Sequence, residues 1–323
     1  MSLTRLEGFP PLATALAWRL RFHYLHARKE LAATPRTTWP RHGHSGRSRP
    51  RLGIVVVNFN TARLISQLLF SLYRVLGRSE FSIVVVVDNG STDGSREILE
   101  SLAAAQLIQL VANAEQQYHG PALNQGISWL AKRQESAGPV KQIEYVWTLD
   151  SDVVVLRRDT ARDALGAFDG TGAAAVGQIQ DNPLTRRAVR NNPSMLSPFS
   201  LILDPVQIWQ PSIPPFLEDG APATGMQVAA DADGLRLVAF PFVEHGYLIH
   251  LGRGTLRVIA ESRDRKNRYY EWAAGHNEPY YMGQEGARSM YRRFCEVFDE
   301  EVGDFTPERV TAACSASDQL SLD

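Results

Sequence analysis

The feature that most limits the fold of this chain is a series of short apolar runs in its first half: "GIVVVNFN" from Gly53, "FSIVVVVDNGSTDGS" from Phe81, "LIQLV" from Leu107 and "YVWTLDSDVVVL" from Tyr145. Each is too short for a buried helix to be preferred, and their Val and Ile content suits strands buried on both faces. Between them the period changes. "TARLISQLLFSLYRVL" spaces Leu64, Leu68, Leu72 and Leu76 four apart behind Thr61, an N-cap candidate, and "REILESLAAA" and "GPALNQGISWLAKRQ" also read as helices. Strands alternating with helices predict an α/β fold with a mainly parallel, Rossmann-like central sheet flanked by helices.

In such sheets ligands gather at the carboxyl ends of the strands. The polar residues collect there: Asn58 and Asn60 after the first run, Asp88 and Asn89 after the second, Asp150 and Asp152 at the fourth. Several function classes are set aside by what these ends lack. There is no G-x-G-x-x-G after the first strand, no G-x-x-x-x-G-K-[ST] and no H-E-x-x-H, and in "GSTDG" Thr92 stands where a nucleophile elbow needs serine.

Charge divides the chain. The net charge of −1 splits into +8 on residues 1 to 51 and −9 on the rest, which marks an appended basic arm and linker. Leu12, Leu16 and Leu20 recur at helical spacing among arginines, as in a helix docked on the protein's own body or one lying on anionic lipid. "RHGHSGRSRPR" reads as linker, and without a reader motif or stacking aromatics nucleic acid is not expected as a partner. No apolar run is long enough to span a bilayer, no clean cleavable signal opens the chain, and the two cysteines, Cys295 and Cys314, suit a reducing compartment. The expected location is cytoplasmic, with peripheral contact at the inner face of a membrane open to the arm.

The pieces "IVVVNFN", "IVVVVDNGSTDGS", "GPALNQGI", "VWTLDSDVVV" and "GYLIHLGRGT", in that order, resemble the family-two glycosyltransferases, whose fold is the A-type glycosyltransferase fold. The resemblance covers roughly residues 52 to 259. It implies a catalytic domain over 52–260 and leaves 261–323 as a helical C-terminal segment. The activity implied is a metal-dependent, inverting transfer of a sugar from a UDP- or dTDP-linked donor to a hydroxyl acceptor, whether glycan, lipid-linked or small molecule.

Side chains two apart on a strand face the same way, so Asp150 and Asp152 are expected to address one ligand that Ser151 does not. Carboxylate oxygens suit Mn²⁺ or Mg²⁺. The resemblance gives Asp152 to the metal, Asp150 to the ribose or the metal through water, and His250 to the metal as a further ligand, with His245 close by in sequence. It places Asp88 against a base N–H, Asn58 and Asn60 around base or ribose, and Asn124 with Gly120 beside the donor. The general base is expected from the pair Glu218 and Asp219, with Asp219 the first candidate and Asp231, in a second acidic cluster, the reserve. "NNPSMLSPFSLILDPVQIWQPSIPPF" reads as an acceptor-side wall with a proline-punctuated loop. Two rivals remain: a sugar-phosphate nucleotidyltransferase, whose glycine-rich basic loop "NFNTARLIS" lacks, and a nucleotide-sugar-binding protein without catalysis.

Overall fold

The computed structural model describes residues 39, 51–136, 142–180, 189, 191–192, 194–217, 222–252 and 284–322. The elements begin with β1 (Leu52–Asn58), α1 (Ala62–Ser71), β2 (Ile83–Asp88), α2 (Ser95–Ala104), β3 (Gln109–Ala112) and α3 (His119–Ser136). Next come β4 (Tyr145–Asp150), β5 (Val153–Val155), α4 (Thr160–Gly166), β6 (Ala173–Ile179), β7 (Leu196–Leu203) and α5 (Pro205–Ile208). The last are α6 (Thr224–Ala232), β8 (Arg236–Ala239), β9 (Leu248–His250), α7 (Glu285–Val302) and α8 (Pro307–Ser315). Among the described residues no helix is long and apolar enough to cross a membrane.

Seven strands make one sheet in the order β3-β2-β1-β4-β7-β6-β8, and β5 pairs with β9 in a separate ribbon. Neighbours run parallel except at β7, which is antiparallel to both β4 and β6. The uninterrupted apolar runs are explained by two cores, one on each face. Along β1, Ile54 and Val56 pack into the core that holds Phe70, Leu99, Phe294, Phe298 and Val310, while Val55 and Val57 pack with Leu123, Ile127 and Leu130 of α3. Trp39, in the basic arm, is 4% exposed and belongs to this second core.

The C-terminal helices are tied to α1 through a buried cation. After Ser71 the helix widens into a π-helical turn, Leu72–Gly77. There Arg74, its side chain 1% exposed, pairs with Glu301 and Asp318 and donates to Ala313 O and Asp318 O. Gln319 Nε2 satisfies the carbonyls of Val75 and Leu76 at the end of the same turn.

Two expectations change. "YVWTLDSDVVVL" is not one strand: β4 ends at Asp150, a turn takes Ser151 and Asp152, and Val153–Val155 leaves the main sheet to pair with β9. The stretch read as wall and loop contains β7, a central strand. Its Pro198 hid it, because a proline argues against a central strand unless it sits at a bulge, and here it does.

Candidate active site

Register assembles the site. Asn58 pairs with Asp88 across β1 and β2, and Val57 pairs with Asp150 across β1 and β4, so the three polar residues end neighbouring parallel strands at one sheet edge. Asp152 joins them through the turn after β4 rather than by alternation along a strand. In that turn Ser151 points inward, its Oγ 3.0 Å from Thr61 Oγ1, and the carbonyl of Asp152 accepts from Leu251 N at 2.9 Å. The β5–β9 pairing then sets Val153 opposite His250 and delivers the imidazole to the same place.

Asp150, Asp152 and His250 each offer a ligand atom, and these atoms lie within 4.8 Å of one another. His250 Nε2 is 3.1 Å from Asp152 Oδ1 and 3.8 Å from Asp150 Oδ2. Burial works against a charged imidazole here, but the carboxylates of Asp152 and Asp150 outweigh it and hold the His250 pKa above its ordinary value. Two carboxylates and an imidazole around a common point form a donor set that fits a divalent cation. His245 is not part of it: it lies in the exposed turn before β9, where its carbonyl accepts from Arg157.

His119 was not singled out from sequence. It is the first residue of α3, and its Nε2 lies 3.4 Å from Asp150 Oδ1, so Asp150 turns one oxygen to each histidine. The only signal for it was its place directly before Gly120, in a segment already chosen for its glycine and asparagine.

The residues expected around the nucleotide are brought together, with protein partners. Asp88 is fully buried: Oδ1 accepts from Asn58 Nδ2 at 3.1 Å, and Oδ2 lies 2.6 Å from Arg96 Nη2. Asn58 Nδ2 also donates to Ser91 Oγ, and its Oδ1 accepts from Thr61 Oγ1 at 2.7 Å. Asn60 takes a left-handed backbone, φ +52°, and accepts from Thr92 N. Asn89 Oδ1 accepts from Gln117 N and Asn113 Nδ2, while its Nδ2 donates to Gln117 O. These bonds stitch the turns after β1, β2 and β3 into one floor. Thr61 does not cap α1 with its side chain; Asp93 Oδ2, from the turn after β2, accepts from Ala62 N instead.

Asn124 binds the Phe216 backbone, and Gly120 lies against Leu217, where a Cβ would sit 2.0 Å from the carbonyl oxygen. The chain beyond is closed by Leu217 N donating to Pro222 O at 3.0 Å. Glu218 and Asp219 fall between these two, outside the described residues. Asp231 is placed elsewhere. Arg236 of β8 pairs with Ala173 at the start of β6, and β6 and β4 both begin beside the end of β7, so the C-terminus of α6 lies at the sheet edge where β4 starts. There Asp231 is buried and its Oδ1 accepts from Asn191 N and Asn192 Nδ2, both at 2.8 Å. A cavity of about 500 Å³ lined by Asn191, Asn192 and Arg236 belongs to this end and not to the cation cluster.

Among solved structures the chain is similar to the mannosyltransferase PcManGT from Pyrobaculum calidifontis in complex with GDP-Man and Mn²⁺, at 18% identity and a TM-score of 0.45, covering 94% of this chain and 97% of that one. It is similar to S. aureus TarS 1–349 at 21% identity and a TM-score of 0.43, covering 59% of this chain and 58% of that one, so it spans little more than half of the TarS fragment. Glucosyl-3-phosphoglycerate synthase from Mycobacterium tuberculosis, solved with Mn²⁺, UDP and glucosyl-3-phosphoglycerate, gives 17% identity and a TM-score of 0.43 over 64% of this chain and 77% of that one. Likenesses of this size carry no argument about donor or acceptor. No curated protein matches the chain in sequence. The family model for glycosyl transferase family 2 matches residues 53–225, more than half of the chain, from β1 through β7 with both Asp150 and Asp152 inside the match and His250 beyond it. The chain belongs to glycosyl transferase family 2.

Proposed function

We propose that this chain moves a sugar from a nucleoside diphosphate, UDP or dTDP, to a hydroxyl acceptor with inversion, using Asp150, Asp152 and His250 to hold a divalent cation. The observation that carries the reading is the convergence of those three ligand atoms, within 4.8 Å, at the carboxyl edge of the sheet in a family-2 domain. Mn²⁺ is favoured over Mg²⁺ because one donor is an imidazole, and Mg²⁺ prefers an all-oxygen shell. When bound, the cation offsets the charge that grows on the departing nucleoside diphosphate.

The chain's own residues supply the rest. The floor formed by Asn58, Asn60, Asp88 and Asn89 supports the nucleoside, with the Asp88 carboxylate acting mainly as a brace since both its oxygens are already engaged. Asp219 takes the proton from the acceptor hydroxyl as its oxygen attacks the anomeric carbon. Asp231 suits that role less well, because its carboxylate is spent on Asn191 and Asn192 at the other edge. The acceptor class, and contact of the basic arm with a membrane, remain part of this proposal.

The test is release of nucleoside diphosphate from a panel of sugar nucleotides, with and without Mn²⁺. Asp152→Ala is expected to abolish metal-dependent release while leaving the unfolding temperature near the parent's. Release that continues unchanged in chelator would rule the reading out.

A further inference from the structure

His250 is held from the side as well as from the front. Its ring lies almost parallel to that of Phe199, with 15° between the planes and 4.3 Å between centroids, and both residues are buried. The second side-chain torsion of a histidine is broad, so the pairing of β9 with β5 does not by itself aim Nε2. A flat ring against one face blocks the rotation that would turn the imidazole edge-on and away from Asp150 and Asp152.

The strand that supplies Phe199 is irregular at that residue. The pairs Gly177↔Leu201 and Ile179↔Leu196 span five steps along β7 but two along β6, so β7 carries three extra residues between them. Pro198 sits within the excess, where its missing N–H removes no ladder bond. Gly177 makes the room, since a Cβ there would lie 3.0 Å from both Ser200 O and Leu201 Cδ1. Regular pairing to β4 begins at Ser200, opposite Leu149, and Trp147 Nε1 donates to the Ser200 hydroxyl at 3.0 Å. A bulge of this kind bends a strand and re-aims a side chain, and bulges are frequent beside active sites.

We propose that Phe199 is a positioning residue for the cation site, its ring fixing the plane of His250 so that Nε2 stays aimed between Asp150 and Asp152. This rests on the reading of His250 as a metal ligand. An imidazole that has given its lone pair to a divalent cation is electron-poor, and the electron-rich face of Phe199 then attracts it more strongly. Relative to a neutral imidazole, the stack therefore favours the metal-bound ring as well as the geometry.

The probe is Mn²⁺ alone, titrated into the full chain and followed by loss of the free-ion electron paramagnetic resonance signal. Phe199→Leu keeps an apolar side chain but removes the flat ring, and it is expected to weaken Mn²⁺ binding by about tenfold, the scale of a lost supporting contact at a metal site. Phe199→Tyr restores the ring and is expected to bind close to the parent value, a rescue that a purely structural role would not single out. Unfolding temperatures without metal confirm that the variants fold, and Phe199→Met provides the same comparison if the leucine variant does not. Parent-like Mn²⁺ binding in Phe199→Leu, alongside weak binding in His250→Ala, would overturn the role of Phe199 and leave the metal reading standing. Parent-like binding in His250→Ala would remove both.

Discussion

Asn124 and Phe216 are joined by a reciprocal pair of hydrogen bonds: Nδ2 of the amide donates to Phe216 O at 2.8 Å, and the Phe216 N–H donates to Oδ1 at 3.1 Å. With Gly120 pressed against Leu217, this couples the first turns of α3, where His119 meets Asp150, to the chain entering residues 218–221. Asn124→Leu leaves two backbone groups beside a buried Phe216 without their partner, at a cost of about 1–3 kcal/mol. Its expected signature is a fall in kcat larger than any rise in KM for the donor. A lower unfolding temperature with unchanged kcat would confine Asn124 to stability.

Asp219 and Asp231 separate in a paired experiment. Asp219→Asn is expected to keep donor binding and lose about a hundredfold in turnover, the scale of a missing general base. Asp231→Asn is expected to keep turnover near the parent's and lose about 1–3 kcal/mol of stability, because its carboxylate holds the 191–192 segment against the end of α6. Steady-state kinetics and urea unfolding on both variants decide it, and the opposite pattern would move the base to Asp231.

Stability should fall on the alkaline side. Burial pushes the Cys314 thiol up to about 12, Arg74 only partly opposing it, and burial with the nearby carboxylates of Asp204 and Glu144 pushes the Tyr145 phenol up to about 12. In the unfolded chain both groups ionise earlier. Their contribution is therefore complete below the unfolded pKa values and is lost as pH rises towards 12, by on the order of 1 kcal/mol per pH unit for each group. The urea midpoint is expected to drop between pH 9 and 10, and to drop less in Cys314→Ala. Equal slopes in parent and variant would show that the thiol plays no part.

Trp39 ties the basic arm to the body of the protein. Its side chain is buried in the core between α3 and the sheet, so Trp39→Ala is expected to cost about 3 kcal/mol or more. A chain starting just before Trp39 should unfold at a higher temperature than one starting at residue 46. Indistinguishable unfolding temperatures for the two truncations would show that Trp39 adds nothing to the stability of the body.

Much of the architecture was legible along the chain because strand burial and helix amphipathicity are local properties. Runs such as "GIVVVNFN" and "IVVVVD" have to lie inside a covered sheet, and the polar residues that end them have to gather at one edge, which is where Asn58, Asp88 and Asp150 lie. Joining the aspartate pair to His250 came from the resemblance to a family and not from local pattern, since an isolated histidine at a strand end carries no signal of its own. Tertiary structure alone decided how each is used. Whether Val153–Val155 stays in the main sheet depends on β9, almost a hundred residues later, and that choice is what brings His250 to Asp152. That Asn58 and Asp88 also brace each other, and are held by Ser91 and Arg96, is decided by the register of β1 against β2 and by the turn after β2. β7 was hidden because its proline is tolerated only at a bulge, and a bulge exists only relative to the neighbouring strand. His119 and Phe199 carry no periodic signal of their own; each matters through one ring or carboxylate that the fold sets beside it.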